Sequence, residues 1–194
     1  MPENPYTRLH REFRDAGARV LLSSGQACVM YGIAAFSKDG DWVIAEESQS
    51  CAAILHVLAE HCARYRLGVP LDVRWLSGGW SSHFEFMDAD GYRVRADFVS
   101  RPPRVDLERL WRSAFARDGI DVVDLESLIR LKQTRRPRDY AMIGALAETA
   151  GFNEGDVELA LRYLQDYTVL RSAVQRWPDV ASGIGARLDP LLLG

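Results

Sequence analysis

The sequence predicts an α/β (α+β) fold: a mixed sheet flanked by helices, followed by a helical C-terminal part. Three observations predict it. Between residues 71 and 99 apolar and polar residues alternate, the period of half-buried strands. Upstream, two short β-like runs, Arg19-Val20-Leu21-Leu22 and Asp41-Trp42-Val43-Ile44-Ala45, each precede a segment of helical spacing. After Pro102-Pro103 the pattern turns helical and stays so, apart from one short apolar run. A hairpin beside helix-connected strands argues for a mixed sheet rather than a purely parallel one.

The elements follow in order. Residues 6–16 have helical spacing, with Leu9, Phe13 and Ala16 as an apolar stripe. The run at 19–22 is a strand that ends at Ser23-Ser24-Gly25, which is turn and helix-start chemistry. Small apolar residues from 26 to 35 predict a buried helix, and 41–45 a strand. Ser48 caps a helix running to about residue 65, with Ala52, Leu55, Leu58, Ala59 and Cys62 inward. Strands are expected at 71–76, 82–87 and 92–99, the last two joined by the loop Asp88-Ala89-Asp90-Gly91. The loop Ser77-Gly78-Gly79-Trp80-Ser81 either borders a cleft or is a plain connector, and Trp75, Trp80 and Trp111 read as core or loop packing. A helix is expected at 106–116 and a strand at 120–123. Asp124 caps a helix carrying Leu125, Leu128, Ile129 and Leu131. Pro137 opens another, which Gly151 ends near residue 149. Helices at 154–164, 167–176 and, more weakly, 179–193 complete the chain. The expected division is an α/β core over residues 1–124 and a helical region packed on it over 125–194.

At 194 residues and 47% hydrophobic, the chain is long enough to bury a substantial core. Its net charge of -3 gives no bulk basicity of the kind that announces nucleic-acid binding, although a local basic patch is compatible with it. Cys28, Cys51 and Cys62 are odd in number and lack metal-ligand spacing, so reduced, buried thiols and a cytoplasmic protein are expected. The opening MPENPYTRLHREF is polar and charged, unlike a signal peptide, and no apolar run is long enough to span a membrane.

The chemistry-bearing residues are carboxylates. Asp39 and Asp41 stand i,i+2 on an extended segment, so their side chains point to one side. On the strand at 92–99, Tyr92, Val94, Ala96 and Phe98 share the core face, while Arg93, Arg95, Asp97 and Val99 share the other. Acids that take a divalent cation beside guanidinium groups that take phosphate oxygens suit nucleotide chemistry. The plain alternatives are a polar turn at Lys38-Asp39-Gly40-Asp41 and a solvated, ion-paired strand face. Ser24-Gly25, at a helix start, presents backbone N–H groups of the kind that cradle phosphate, or is ordinary capping. Arg135, Arg136 and Arg138 form a basic cluster beside Lys132, read equally as a phosphate or RNA contact and as a solvated loop. His83 and Glu85 share a strand face and read as surface residues, while His56 and His61, at i,i+5, are poorly spaced for one metal.

In combination and order, VLLSSGQACVMYG, KDGDWVI and VRADFV resemble the nucleotidyltransferase superfamily of the DNA polymerase β-like fold. The stretch LESLIRLK followed by RRPRDY resembles a motif of the bacterial subgroup containing the abortive-infection type IV toxins. The resemblance covers about residues 17–150. It implies a nucleotidyltransferase-like core and transfer of a nucleoside monophosphate from an NTP, ATP among them, to an acceptor: a tRNA, a protein hydroxyl or a small molecule. It implies Mg²⁺, or Mn²⁺, and the triphosphate on Asp39 and Asp41, with Asp97 helping to hold a second metal and taking the acceptor's proton. Ser24 and Gly25 would cradle the phosphates, and Lys132 would offset their charge. Two residues depart from the pattern: Ser24 stands where glycine is usual, and Gly40 where a hydrophobic residue is. Those departures favour the rival expectation, a catalytically degenerate relative acting as a binding or regulatory partner in a toxin–antitoxin-like pair. A structural ion-pair network without nucleotide is the third reading. Sequence leaves acceptor, base preference, cognate partner and oligomeric state open.

Overall fold

The computed structural model describes residues 3–184 and Leu188. The protein is α+β with a mixed seven-stranded sheet. The chain divides into two compact units, Met1–Asp124 and Leu125–Gly194.

The first unit opens with α1 (Pro5–Asp15), where Asn4 caps the Tyr6 N–H and Pro5 sits in the first turn. Then come β1 (Val20–Ser23), α2 (Ser24–Met30), β2 (Gly40–Ile44), α3 (Ser48–Glu60), β3 (Arg64–Gly68), α4 (Val73–Leu76), β4 (Ser82–Met87), β5 (Arg93–Val99), α5 (Leu107–Ser113), β6 (Phe115–Arg117) and β7 (Ile120–Val122). The sheet order is β3-β4-β5-β2-β1-β7-β6. The β2–β5 and β1–β7 pairs are parallel and the other four antiparallel, so the expected mixed sheet is formed. One face carries an aromatic core. The Trp42 ring stacks on Phe98 at 5.5 Å, with Phe13 edge-on to both, at 5.4 Å from Trp42 and 5.6 Å from Phe98.

Several expected elements are corrected. The long helix stops at Glu60, and Arg64–Gly68 leaves it to become edge strand β3. Its buried face is Cys51, Ala53, Ile54, Val57 and Leu58, so the expected inward positions Ala52, Leu55, Ala59 and Cys62 are exposed. With Cys62 outside, only Cys28 and Cys51 are buried thiols. The segment at 71–76, expected as a strand, forms the single helical turn α4, because the Asp72 side chain caps the Arg74 N–H. Its Trp75, and Trp80 in the following loop, are largely exposed. The buried helix expected at 26–35 ends at Met30.

The helix expected at 106–116 stops at Ser113, and Phe115–Arg117 pairs with β7. The connecting residues Asp118 and Gly119 both have positive φ, 52° and 76°, as a two-residue type I′ turn requires.

The second unit contains α6 (Leu125–Lys132), α7 (Pro137–Phe152), α8 (Val157–Tyr163), α9 (Tyr167–Arg176) and α10 (Pro178–Ile184). The helix α7 runs through Gly151 instead of ending there. A Cβ at Gly151 would lie 2.5 Å from Ala160 Cβ, so this glycine lets α7 and α8 approach closely. Of the helix expected at 179–193, residues 185–187 and 189–193 lie outside the described residues. Among those described, no helix is long and apolar enough to cross a membrane.

Candidate functional site

The polar face of the sheet is built by register. Ser23 pairs with Asp41, Asp41 with Asp97 across the parallel β2–β5 ladder, and Asp97 with His83. These four residues form one row across β1, β2, β5 and β4, with adjacent strands about 4.8 Å apart. Side chains paired this way share a face, so Asp41 and Asp97 are immediate neighbours on the side opposite Trp42 and Phe98.

Asp97 is ion-paired where it stands. Arg66 Nη2 donates to its Oδ1 at 3.1 Å, and His83 Nδ1 lies 2.8 Å from the same oxygen, out of line for a hydrogen bond. The other His83 nitrogen, Nε2, is 2.8 Å from Ser81 Oγ. Arg66 is delivered by a β-bulge: Tyr65 pairs with Phe84 and Leu67 with His83, leaving Arg66 as the extra residue. Asp39 lies just before β2 and accepts from Arg95 Nη1 at 3.3 Å. Arg66 Nε and Arg95 Nε are buried without a hydrogen-bond partner among the described residues, a polar capacity that folding left unused.

The turn before α2 is tied to the loop that carries Asp39. Ser24 holds a φ of 51°, a left-handed conformation that favours glycine and strains a residue with a Cβ. Ser23, the residue before the helix, makes no side-chain cap and instead donates its hydroxyl to the Asp41 carbonyl at 3.1 Å. Gly25 is sterically required, since a Cβ there would fall 2.2 Å from Ser37 Oγ. Buried Gln26 takes a hydrogen bond from Asn4 and gives one to the Ser37 carbonyl. Gly40 has its own packing reason. A Cβ there would meet Trp42 Cη2 at 2.4 Å and Tyr6 Cδ1 at 2.5 Å, so two aromatic rings fill its side-chain space. The departure at Gly40 is therefore a packing feature of the core face. The Tyr6 hydroxyl donates to the Lys38 carbonyl. Burial raises its pKa above the usual phenol value, offset in part by the Arg95 backbone N–H and reinforced by the charge of Asp39.

Lys132 is the last residue of α6 in the helical unit and is largely buried. Burial opposes ionisation of Asp139, yet hydrogen bonds from Thr134 and Arg136, and the charges of Arg136 and Lys132, hold its carboxyl below the usual carboxylate range. In the basic cluster, Arg136 is thus spent on Asp139, at 2.8 Å.

The site has acids for a hard cation. Among the described residues, however, no three acidic, histidine or cysteine side chains gather as a ready metal site. The adjacent pair Asp41 and Asp97 still fits Mg²⁺ in kind, because that ion is commonly held by one or two carboxylates together with substrate phosphates. Sequence reasoning missed Arg66, which lies just past a segment assigned to a helix, in a stretch given no element, and the engagement of His83 and Arg95 with the acids. Alternation told which face His83 and Arg95 occupy, but not which carboxylate they meet. The chain matches no protein-family model and no curated protein.

Proposed function

We propose that the protein is a Mg²⁺-dependent nucleotidyltransferase that moves a nucleoside monophosphate from an NTP to a hydroxyl of an RNA, a protein or a small molecule. The observation that carries this reading is the adjacency of Asp41 on β2 and Asp97 on β5 in one row, with β2 next to the strand that ends at the Ser23-Ser24-Gly25 turn. Asp41 and Asp97 would hold Mg²⁺, or Mn²⁺, which when bound supplies Lewis-acid charge at the phosphates. Backbone N–H groups of Ser24 and Gly25 would meet phosphate oxygens. The buried, unpartnered Nε–H groups of Arg66 and Arg95 mark guanidinium groups with donors to spare for the triphosphate. The acceptor hydroxyl attacks the α-phosphorus, the new O–P bond forms as the bond to pyrophosphate breaks, and the hydroxyl proton passes to Asp97.

The pairing of Asp97 with Arg66 and His83, and the strained Ser24, favour a second reading: a degenerate relative that binds a partner without catalysis. Incubation with each labelled NTP and Mg²⁺, with total RNA or protein as acceptor, tests both. Label transfer that Asp41→Asn abolishes supports the enzyme. No transfer with any NTP, together with no Mg²⁺-dependent thermal shift, rejects it in favour of the second reading.

A further inference from the structure

A cavity of about 690 Å³ opens between the start of α1, the loop at 35–38 and the β4–β5 hairpin. Its volume is that of a small-molecule site. Three aromatic side chains line it: Tyr6 is buried, while Phe36 at 73% and Tyr92 at 65% are largely exposed. Exposed aromatics on the rim of one cavity are unusual, since burying such rings is favourable. Three cations share the lining: Lys38, Arg93 and Arg95. Lys38 and Arg93 make no ion pair among the described residues, and Arg95 keeps its buried Nε unpartnered while its Nη1 reaches Asp39. Two of the lining carboxylates are already engaged. Glu3 pairs with Arg11, and Asp88 Oδ1 accepts the Asp90 and Tyr92 N–H groups within the hairpin. Asp90 is the third acid on the lining, at the hairpin tip.

Aromatic faces beside unspent cations match one chemistry, a planar heterocycle bearing a phosphate. A base stacks on an aromatic ring whatever its identity, and cations take the phosphate. We infer that this cavity is a nucleobase subsite, in which Phe36 and Tyr92 stack a base while Lys38 and Arg93 hold its phosphate. Arg95 lines the cavity and contacts Asp39, so it links this subsite to one of the three acids. The inference rests on the transfer reading and adds that one partner in the reaction presents a base here, either the donor NTP or a nucleotide acceptor.

The test measures binding of the four NTPs, a nucleoside monophosphate and inorganic tripolyphosphate to wild type, to Phe36→Ala/Tyr92→Ala and to Asp41→Asn. Both aromatic positions are exposed, so the double variant should unfold at the wild-type temperature, and an unchanged melting point confirms a folded comparison. Loss of base stacking is expected to weaken nucleotide binding by about tenfold to a hundredfold in the double variant and to leave tripolyphosphate binding unchanged. Competition of the monophosphate with NTP assigns the subsite to the donor, and simultaneous binding assigns it to the acceptor; both support it. If tripolyphosphate binds as tightly as NTP, depends on Asp41, and the aromatic variant changes nothing, the subsite is rejected and the transfer reading stands. If nucleotides bind through Phe36 and Tyr92 but neither Mg²⁺ nor Asp41→Asn matters, the transfer reading fails and the base pocket stands. Binding of none of these probes overturns both.

Discussion

His10 makes the stability of the acid-bearing sheet depend on pH. Its ring is fully buried, with Nδ1 3.3 Å from the Trp42 indole nitrogen and Nε2 3.1 Å from the Asp121 backbone nitrogen. Both neighbours are N–H donors, so the neutral ring can accept at one nitrogen and the protonated ring at neither. Burial first, then the charges of Arg14 and Arg11, lower its pKa from 6.5 to about 4. In the unfolded chain the ring takes a proton near pH 6.5, while the folded protein resists until about 4. The unfolded state therefore binds more protons in this window, and stability falls as pH falls. A tenfold difference in proton affinity is worth about 1.4 kcal/mol, so the full effect is about 3 kcal/mol, complete above pH 6.5 and lost on descending to about 4. Between pH 7.5 and 5 the loss is about 2 kcal/mol. Glu46, Asp72 and Asp139 are held below the usual carboxylate range, so their own contributions begin to fade only below about pH 5. The assay is urea unfolding followed by tryptophan fluorescence from pH 7.5 to 5, on wild type and His10→Gln. The variant should start less stable, by about 1 kcal/mol, and show a flatter profile over that range. A wild-type profile that is flat, or a slope unchanged in His10→Gln, would refute the reasoning.

Three further outcomes follow from the same geometry. Gly40→Ala forces a Cβ into the Trp42 and Tyr6 rings and should destabilise the protein by about 1–3 kcal/mol in urea titration; a neutral result would remove the packing account of this glycine. Arg66→Ala should cost about 1–2 kcal/mol, because it leaves the half-buried Asp97 with His83 alone. Arg64→Ala, one strand position before the bulge and 78% exposed, should cost less than about 0.5 kcal/mol; equal losses in the two variants would deny the bulge any special role. Gly119→Val, at a φ of 76°, should destabilise by more than about 1 kcal/mol in the same titration, and no change would contradict a type I′ turn between β6 and β7.

Legibility in the sequence followed the range of the interaction. The hairpin β4–β5 was readable from alternation and from Asp88-Ala89-Asp90-Gly91, which closes through the Asp88 N–H to the Tyr92 carbonyl. The helix α9 was readable to its ends, because the Asp166 side chain accepts from the Val169 N–H and so caps it locally. The Asp118-Gly119 turn is a local hairpin signal, but its first strand, Phe115–Arg117, follows directly on a helical pattern and has only three residues of its own. At the candidate site, the sequence named Asp39, Asp41 and Asp97 as the acids and assigned Arg95 and His83 to strand faces. It could not pair them, since a period of two gives a side chain's face and not its neighbour on the next strand.

By itself, then, the sequence determined the α+β class, the hairpin β4–β5 with the polarity of its strand faces, and the locally capped helices such as α9. Those depend on propensity, capping and alternation within a few residues. Only the tertiary structure decided that Asp41 lies beside Asp97, that a bulge at Arg66 delivers a guanidinium to it, and that Gly40 is a gap filled by Tyr6 and Trp42. Each of these is a contact between segments remote in the chain, set by strand register and by packing of the aromatic core. No local rule along the chain encodes a register, because every register with the same parity leaves the buried face equally buried.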